Sequence, residues 1–252
     1  MTAHTTEPAS IYGSIEPLLP HVTKPIQYVG GELNAVTTPW ADAEVHWVLM
    51  YPDAYEVGQP NQGNAILYEV LNETGWISAE RVFSVWPDME ALMRQHKVPL
   101  ASLETHRPVR AFDVLGVSLS TELGYTNLLN ALDLAGIPLR SADRTIDDPI
   151  VVVGGHCACN PEPIADFIDV AVLGDGEQAV LRLSEIVRAW HASGDQGGRL
   201  GLLQSLAETG MFYVPQFYDI SYGTDGAITK ISPNRPGVPY RVQRWILTDL
   251  DE

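Results

Sequence analysis

Five short apolar runs recur along the chain, and a segment with helical spacing of apolar residues follows most of them. The runs cover residues 46–52, 80–86, 113–120, 149–155 and 169–174. Runs of this length without polar alternation are typical of strands buried on both faces. Strands separated by helices predict βαβ units, and right-handed crossovers then place helices on both faces of a parallel sheet. The chain is therefore predicted to be an α/β protein with five parallel strands.

The segments between these runs carry the signals of helix boundaries. Apolar residues recur at helical spacing over residues 61–72, and a glycine follows as a stop signal. Pro87 suits the first turn of a short second helix. Further helices are predicted over residues 121–134 and 177–191. With these helices the sheet is predicted to be doubly wound, of the flavodoxin-like or Rossmann-like kind.

Composition changes at both ends of this α/β region. Residues 1–45 contain five prolines and are predicted to form an N-terminal extension. Residues 46–193 form the predicted α/β domain. Residues 194–252 begin with a Gly-rich loop and are predicted to be a linker and a β-rich segment. Within that segment we predict a short helix over 202–207, three strands within 210–223, 227–233 and 240–250, and a hairpin turn at 223–226.

Net charge limits the classes of partner. The 252 residues include 15 Lys and Arg against 32 Asp and Glu, which gives 15 − 32 = −17. Such a balance argues against a surface that binds nucleic-acid phosphates or an anionic membrane. No apolar run reaches the length of a membrane span, and the first thirty residues do not resemble a signal peptide. Two cysteines, Cys157 and Cys159, stand too close together for an easy disulfide. These features predict a cytoplasmic protein with neither nucleic acid nor membrane as a partner.

Small and polar residues cluster where four of the predicted strands end. In an open α/β sheet, ligands bind beyond the carboxyl ends of the strands. Glycines in such turns allow close approach of a ligand to the backbone, and helix N-termini attract anionic or hydrogen-bonding groups. The sequence therefore predicts a ligand site at this edge of the sheet. Its candidate residues are Asp53, Tyr55, Gly58, Ser118, Ser120, Gly154, Gly155, Gly174 and Gly176.

Other interpretations of the same residues stay open from the sequence. Every strand-to-helix turn needs turn residues, so these glycines are also expected without a ligand. Asp53 and Glu56 resemble a carboxylate pair for acid–base chemistry, which would fit a small hydrolase or transferase. Metal-ligating residue types occur in the HCAC stretch at 156–159, but their spacing is narrower than in tetrahedral metal sites. The sequence contains neither a phosphate-binding P-loop nor the nucleophile elbow of hydrolases.

Several motifs, taken in order, resemble one family. The stretch 53–58, DAYEVG, has the spacing of the D-x-H-x-x-G motif of cobalamin-binding domains. It is followed by GVSLSTELGYTN at 116–127, VVGGH at 152–156 and LGDGE at 173–177. From about Pro17 to the end, the chain resembles the N-terminal cobalamin (B12)-binding-like domain of B12-type radical SAM proteins, and especially an uncharacterised bacterial subgroup of them.

The resemblance implies a cofactor and a mode of binding. Cobalamin would be held base-off, with its nucleotide tail between the loops that follow strands one, four and five. Gly58, Ser118, Gly154 and Gly155 would contact the tail, and Tyr55 would lie under the corrin where the family has the cobalt-ligating His. A phenol is a poor cobalt ligand compared with an imidazole.

The resemblance also implies a missing half. The family carries a C-x-x-x-C-x-x-C motif whose three thiolates hold a [4Fe–4S] cluster that binds SAM, and two cysteines cannot hold it. The chain is therefore expected to be a cofactor-binding front half that is not catalytic alone and that works with a radical SAM domain or a partner protein. The alternative is a degenerate domain that serves as a scaffold or docking module without a cofactor.

Overall fold

A computed structural model describes residues 7–248. Its centre is a five-stranded parallel sheet with strand order β2-β1-β3-β4-β5, so the predicted α/β fold is confirmed. The strands are β1 Val45–Ala54, β2 Ile77–Ser84, β3 Val114–Ser118, β4 Ile150–Gly154 and β5 Val170–Ala171. The α-helices are α1 Tyr12–Ile15, α2 Tyr55–Gly58, α3 Gln62–Asn72, α4 Pro87–His96, α5 Gly124–Leu134, α6 Glu177–Ala192 and α7 Gly198–Glu208.

The strands are buried along most of their length. The first six residues of β1 are buried, as are four of the five residues in each of β3 and β4. Such strands must be covered on both faces. Helices α3 and α6 pack together over one face. Helix α5 begins on the other face, where a Cβ added to Gly124 would lie 3.0 Å from the Pro52 side chain. The chain reverses its winding direction between β1 and β3, which is where ligands bind in this strand order.

Some element boundaries differ from the predictions. Strand β1 continues through Pro52 to Ala54, whereas β5 holds only two residues. Helix α5 begins at Gly124 instead of Thr121, and α7 already begins at Gly198, inside the predicted loop. A glycine at the start of a helix is tolerated because its backbone N–H groups need no intrahelical partner there.

The β-rich segment has two strands instead of three. Strands β6 Tyr218–Tyr222 and β7 Ile228–Pro233 form an antiparallel hairpin around the predicted turn. The predicted third strand over 240–250 is wrong for its described part. Instead, Trp245 N donates to Leu173 O at 2.7 Å, and its indole Nε1 donates to Met211 O at 2.9 Å. Two prolines and a glycine within 236–239 turn the chain away from the hairpin. The chain then pairs with Leu173 and Asp175, just after β5.

The described part of the N-terminal extension packs against the β2 side of the sheet. It consists of α1 and short 3₁₀ turns at Glu16–His21, Pro25–Tyr28 and Trp40–Asp42. Its contacts include Ile11 N to His106 O at 2.8 Å and Thr23 N to a carboxylate oxygen of Asp88 at 2.8 Å. Further 3₁₀ turns lie at Val109–Ala111, Ser141–Asp143, His156–Cys159, Glu162–Phe167 and Pro215–Phe217. Within residues 7–248, no helix combines the length and hydrophobicity needed to cross a membrane.

Charged side chains are buried near the amino ends of the strands. Asp169, which is fully buried, accepts hydrogen bonds from Arg144 Nη1 and Arg199 Nη2, both at 2.7 Å. It also accepts one from Val151 N at 2.7 Å. A buried charge is costly unless it is paired and hydrogen-bonded, and this carboxylate is both. The network fixes the starts of β4 and β5 relative to each other.

A second charged group lies at the same edge. Asp113, just before β3, accepts a hydrogen bond from His46 N at 2.7 Å and lies 3.1 Å from the His46 ring nitrogen Nδ1. Its other oxygen lies 3.3 Å from His191 Nε2 in α6. Although burial opposes ionisation of Asp113, hydrogen bonds from the two histidines hold the pKa of its carboxyl well below the usual range. The starts of β1 and β3 and the end of α6 are joined through this one carboxylate.

Candidate functional site

A crevice of about 290 Å³ opens at the carboxyl edge of the sheet, between α3 and α6. Residues of β1, β3 and β4, with neighbours just after β5, form its walls. It therefore covers the β1/β3 switch point of the doubly wound sheet. Small-molecule sites usually begin at about 300 Å³, so the crevice suits one flat group of one or two rings.

The register of the strands orders the lining residues by depth. Leu49, Gly116 and Val152 are paired side by side across β1, β3 and β4, and all three line the crevice. Trp47, two residues earlier in β1, lies one step deeper on the same face. Gly116 leaves room for the Trp47 ring, because a Cβ there would lie 2.8 Å from ring atom Cζ3. The deep part of the crevice is thus apolar.

The floor includes one polar side-chain atom that is already paired. The Trp47 indole Nε1 donates to Ser184 Oγ in α6 at 2.8 Å. Ser184 Oγ in turn donates to Val180 O at 2.7 Å. Leu67 of α3 and the side chain of Val180 complete the walls at the helix side. A ligand that reaches this depth meets apolar surface.

The mouth of the crevice is polar. Ser118 and Gly154 pair across β3 and β4, one step nearer the carboxyl edge than Gly116. Ser120 and His156 line the crevice beyond them, and Glu177 lines it from the first turn of α6. Polarity therefore rises from floor to mouth, which suits a ligand with an apolar end and a hydrogen-bonding end.

Gly154 opens into the crevice. A Cβ added to it would meet no heavy atom within 4 Å, although it lines the cavity. The other three predicted glycines of the crevice are constrained by the protein itself. Gly155 and Gly174 have φ angles of 90° and 102°, and a Cβ on Gly174 would lie 2.1 Å from Trp245 O. A Cβ on Gly176 would lie 3.0 Å from Leu67.

The structure thus brings six of the nine predicted residues to one crevice: Ser118, Ser120, Gly154, Gly155, Gly174 and Gly176. Asp53 is a near neighbour of this group. It lines a separate cavity of about 30 Å³ that Ser118 and Ser120 also line. Its Oδ1 accepts a hydrogen bond from Ala54 N at 2.7 Å, as expected for a turn carboxylate.

Tyr55 and Gly58 lie outside the crevice lining. The Tyr55 hydroxyl donates to Glu32 Oε1 at 2.6 Å, and its ring meets Phe83 edge-on with centroids 5.6 Å apart. Desolvation, together with the Glu32 carboxylate, raises the pKa of Tyr55 to about 12. Gly58 is required for packing, because a Cβ there would lie 2.4 Å from the Phe83 ring. Tyr55 joins α2 to β2 and to the N-terminal extension, whereas Gly58 joins α2 to β2.

The carboxylate pair considered from the sequence is engaged elsewhere. Glu56 binds Lys24 and also accepts a hydrogen bond from Gln27 Nε2 at 2.7 Å. The Lys24 hydrogen bond lowers the pKa of Glu56, which suits an ion pair and not a general base. In the HCAC stretch, Cys157 is buried and Cys159 is exposed, and both are free thiols. No group of three His, Cys, Asp or Glu side chains among residues 7–248 is arranged to hold a metal ion.

Sequence reasoning missed the residues of the deep crevice. None of Trp47, Leu49, Gly116 and Val152 is among the candidate site residues predicted from the sequence. The signal that could have found them is the period of two along a strand, since Gly116 and Val152 precede Ser118 and Gly154 by two residues and share their face. The contribution of α3 could not be found in this way, because it depends on how the helix packs.

The fold and the crevice define a doubly wound α/β module with a cavity at its switch point. A family model described as radical SAM proteins, N-terminal, matches residues 63–215, which is more than half of the chain. The chain therefore belongs to the family of N-terminal domains of radical SAM proteins. The matched region begins in α3 and includes β2 to β5, and with them most of the crevice.

One similar solved structure is the radical S-adenosylmethionine methyltransferase TsrM from Kitasatospora setae, with tryptophan substrate and a SAM analogue (aza-SAM) bound. It shares 16% sequence identity and a TM-score of 0.37 with this chain. The match covers 56% of this chain and 25% of that protein, so the matched region spans a quarter of the TsrM length. This likeness is too distant to assign residues. No curated protein matches the sequence.

Proposed function

We propose that this chain is a cobalamin-binding module of a radical SAM system. The cobalamin is held base-off, with the nucleotide tail in the crevice between α3 and α6. Membership of the radical SAM N-terminal family supports a role beside a radical SAM catalytic domain. The motifs that resemble cobalamin-binding domains support the choice of cofactor.

The observation that carries the proposal is the crevice itself. Its apolar floor at Trp47 and Leu49 suits a flat heteroaromatic base, and its polar mouth suits the ribose and phosphate that follow such a base. Gly154 marks the entrance, because open space lies where its side chain would be. These residues fit a nucleotide tail by size and by polarity.

The chain's own residues would bind and orient the tail. Ser118 and Ser120 hydroxyls lie at the mouth and offer hydrogen bonds there, while Gly154 allows close approach to the backbone. Tyr55 is turned toward Glu32, so we assign it no contact with the cofactor and no role as a cobalt ligand. Bound cobalamin supplies the chemistry of a reactive cobalt–carbon bond.

The cluster and SAM are assigned to a catalytic partner. The sequence contains two cysteines, fewer than the three thiolates that the family's cluster motif requires. In this proposal the 252 residues bind cobalamin and present it to a radical SAM domain, which performs the reaction. The substrate of that reaction is determined outside this chain.

A titration with hydroxocobalamin tests the proposal. The purified protein is mixed with increasing hydroxocobalamin under mild reduction, and the visible spectrum is followed to saturation. We expect a saturable base-off spectrum for the natural sequence and none for Gly154→Val, whose side chain fills the tail's path.

The matched control is Gly13→Val. A Cβ added to Gly13 would likewise meet no heavy atom within 4 Å, and the backbone angle there is ordinary, but this residue lies in α1, away from the crevice. The control variant should bind as the natural sequence does. Equal binding by both variants would contradict the tail assignment.

A second candidate is a scaffold without a cofactor. The observation that favours it is Tyr55, which stands where the family motif has the cobalt-ligating His and which instead bonds to Glu32. A domain that lost its cofactor would keep the fold and its docking surfaces. If the natural sequence binds no cobalamin at concentrations well above cellular levels, this candidate replaces the first.

A further inference from the structure

We propose that the crevice selects the lower base of the cofactor, accepting a benzimidazole-type base and discriminating against a purine. This inference rests on the proposed function, since it concerns the tail of a bound cobalamin. It assigns the selection to the floor of the crevice, which is formed by Trp47, Leu49 and Val152.

The floor offers no free polar partner to an inserted ring. Among the described residues that line it, the Trp47 Nε1 atom is the polar side-chain group, and Ser184 Oγ already accepts its hydrogen. Ser184 Oγ donates its own hydrogen to Val180 O at 2.7 Å. The backbone groups of the neighbouring β1 and β3 residues are used in the sheet ladder. Only apolar contacts remain at this depth.

The two classes of base differ at the edge that would enter first. A benzimidazole carries carbon atoms and methyl groups on the edge remote from the ribose. Adenine carries ring nitrogens and an amino group there, and both need hydrogen-bond partners. A polar group that is buried without a partner loses its hydration and gains nothing in return. The apolar floor therefore favours the benzimidazole.

The Trp47 side chain limits how deeply a base can enter the crevice. The Trp47 ring lies against Gly116 and is held by Ser184, so it has no space to turn aside. It is 1% exposed, which shows how tightly it is enclosed. A base that enters the crevice stops against this ring, and the seryl groups of the mouth stay near the ribose.

Dissociation constants for three corrinoids test the inference. The ligands are cobalamin, its analogue with adenine as the lower base, and cobinamide, which lacks the nucleotide tail. We expect cobalamin to bind about tenfold or more tightly than the adenine analogue, the range for one or more unpaired polar groups. Cobinamide should also bind more weakly than cobalamin, because it leaves the crevice empty.

A pair of substitutions locates the selection at the floor. Val152→Thr adds a hydroxyl inside the crevice at nearly constant volume. It should reduce the difference in affinity between cobalamin and the adenine analogue. Val151→Thr adds the same group on the opposite face of β4, since neighbouring strand residues alternate, and should leave the difference unchanged. Both variants are first compared with the natural sequence by thermal unfolding.

The outcomes separate the inference from the function on which it rests. Equal binding of cobalamin and the adenine analogue overturns the selection by base. Equal binding of cobinamide and cobalamin also overturns it, because the tail is then outside the crevice, while the chain remains a cobalamin-binding module. Failure to bind any of the three corrinoids contradicts the proposed function itself.

Discussion

The two edges of the parallel sheet have opposite character. At the amino edge, Asp169 and Arg144 are buried, the Asp113 side chain is 6% exposed, and all three are joined to partners in several elements. At the carboxyl edge, Ser118 and Gly154 border an open crevice. One edge is closed by charge pairs that are costly to bury and costly to break, while the other is lined by small residues that leave space. The buried charge pairs and the proposed binding site thus lie at opposite ends of the same strands.

The largest expected effect comes from breaking the closed edge. Asp169→Ala removes the carboxylate that pairs with two arginines and leaves buried positive charge without a partner. We expect the free energy of unfolding to fall by about 3–5 kcal/mol, measured by urea denaturation. Asp166→Ala is the matched control, because that carboxylate pairs with Arg140 at the exposed surface. Similar losses for the two variants would contradict the contrast between the edges.

The next effect distinguishes two glycines of the open edge. Gly174→Ala places a Cβ against Trp245 O at a positive φ, so we expect a loss of about 2 kcal/mol in the free energy of unfolding. Gly154→Ala adds a methyl group in open space and should change stability by less than about 0.5 kcal/mol. Thermal or urea unfolding measures both. A large loss for Gly154→Ala would show that this position is structural and not part of an open site.

A smaller effect tests where Tyr55 acts. Tyr55→Phe removes the hydrogen bond to Glu32 while the ring still packs on Phe83. We expect about 1 kcal/mol of lost stability, the usual value for one hydrogen bond, and an unchanged affinity for cobalamin. A weaker affinity with unchanged stability would place Tyr55 at the cofactor after all.

The smallest effect is a dependence of stability on pH. Burial lowers the pKa of His191, but its bonds to Asp113 and Asp195 outweigh burial and raise that pKa above the ordinary value. A raised pKa in the folded state means stability that is complete below the unfolded value of about 6.5 and is lost as pH rises through the folded value. Urea midpoints should therefore fall as pH rises from about 6.5. The same series for His191→Gln should lack this decrease.

The sheet could be predicted from the sequence because its strands are nearly continuous apolar runs. Such runs exclude a surface location whatever packs against them, so strand number and fold class follow locally. The predicted third strand of the β-rich segment was wrong because Trp245 finds its partners at Leu173 and Met211, far away in sequence. Local β-propensity contains no information on such a choice.

Part of the candidate site could be predicted from the order of the strands and helices alone. Ser118 and Gly154 were found because the ends of parallel strands meet at one edge, a rule that needs only the order of elements. The position of Tyr55 was not, since its direction depends on Glu32 in the N-terminal extension, 23 residues away. Trp47 was missed because burial in a strand does not reveal that a cavity lies above it.

The contact between Trp245 and the turn at Gly174 can form only late in synthesis of the chain. Trp245 leaves the ribosome 71 residues after Gly174, which at ordinary elongation rates is about 4 to 14 s later. During that interval the turn at Gly174 lacks the carbonyl that accepts a hydrogen bond from Asp175 N. The turn at Gly174, which lines the crevice, therefore gains this contact only when nearly the whole described chain has emerged.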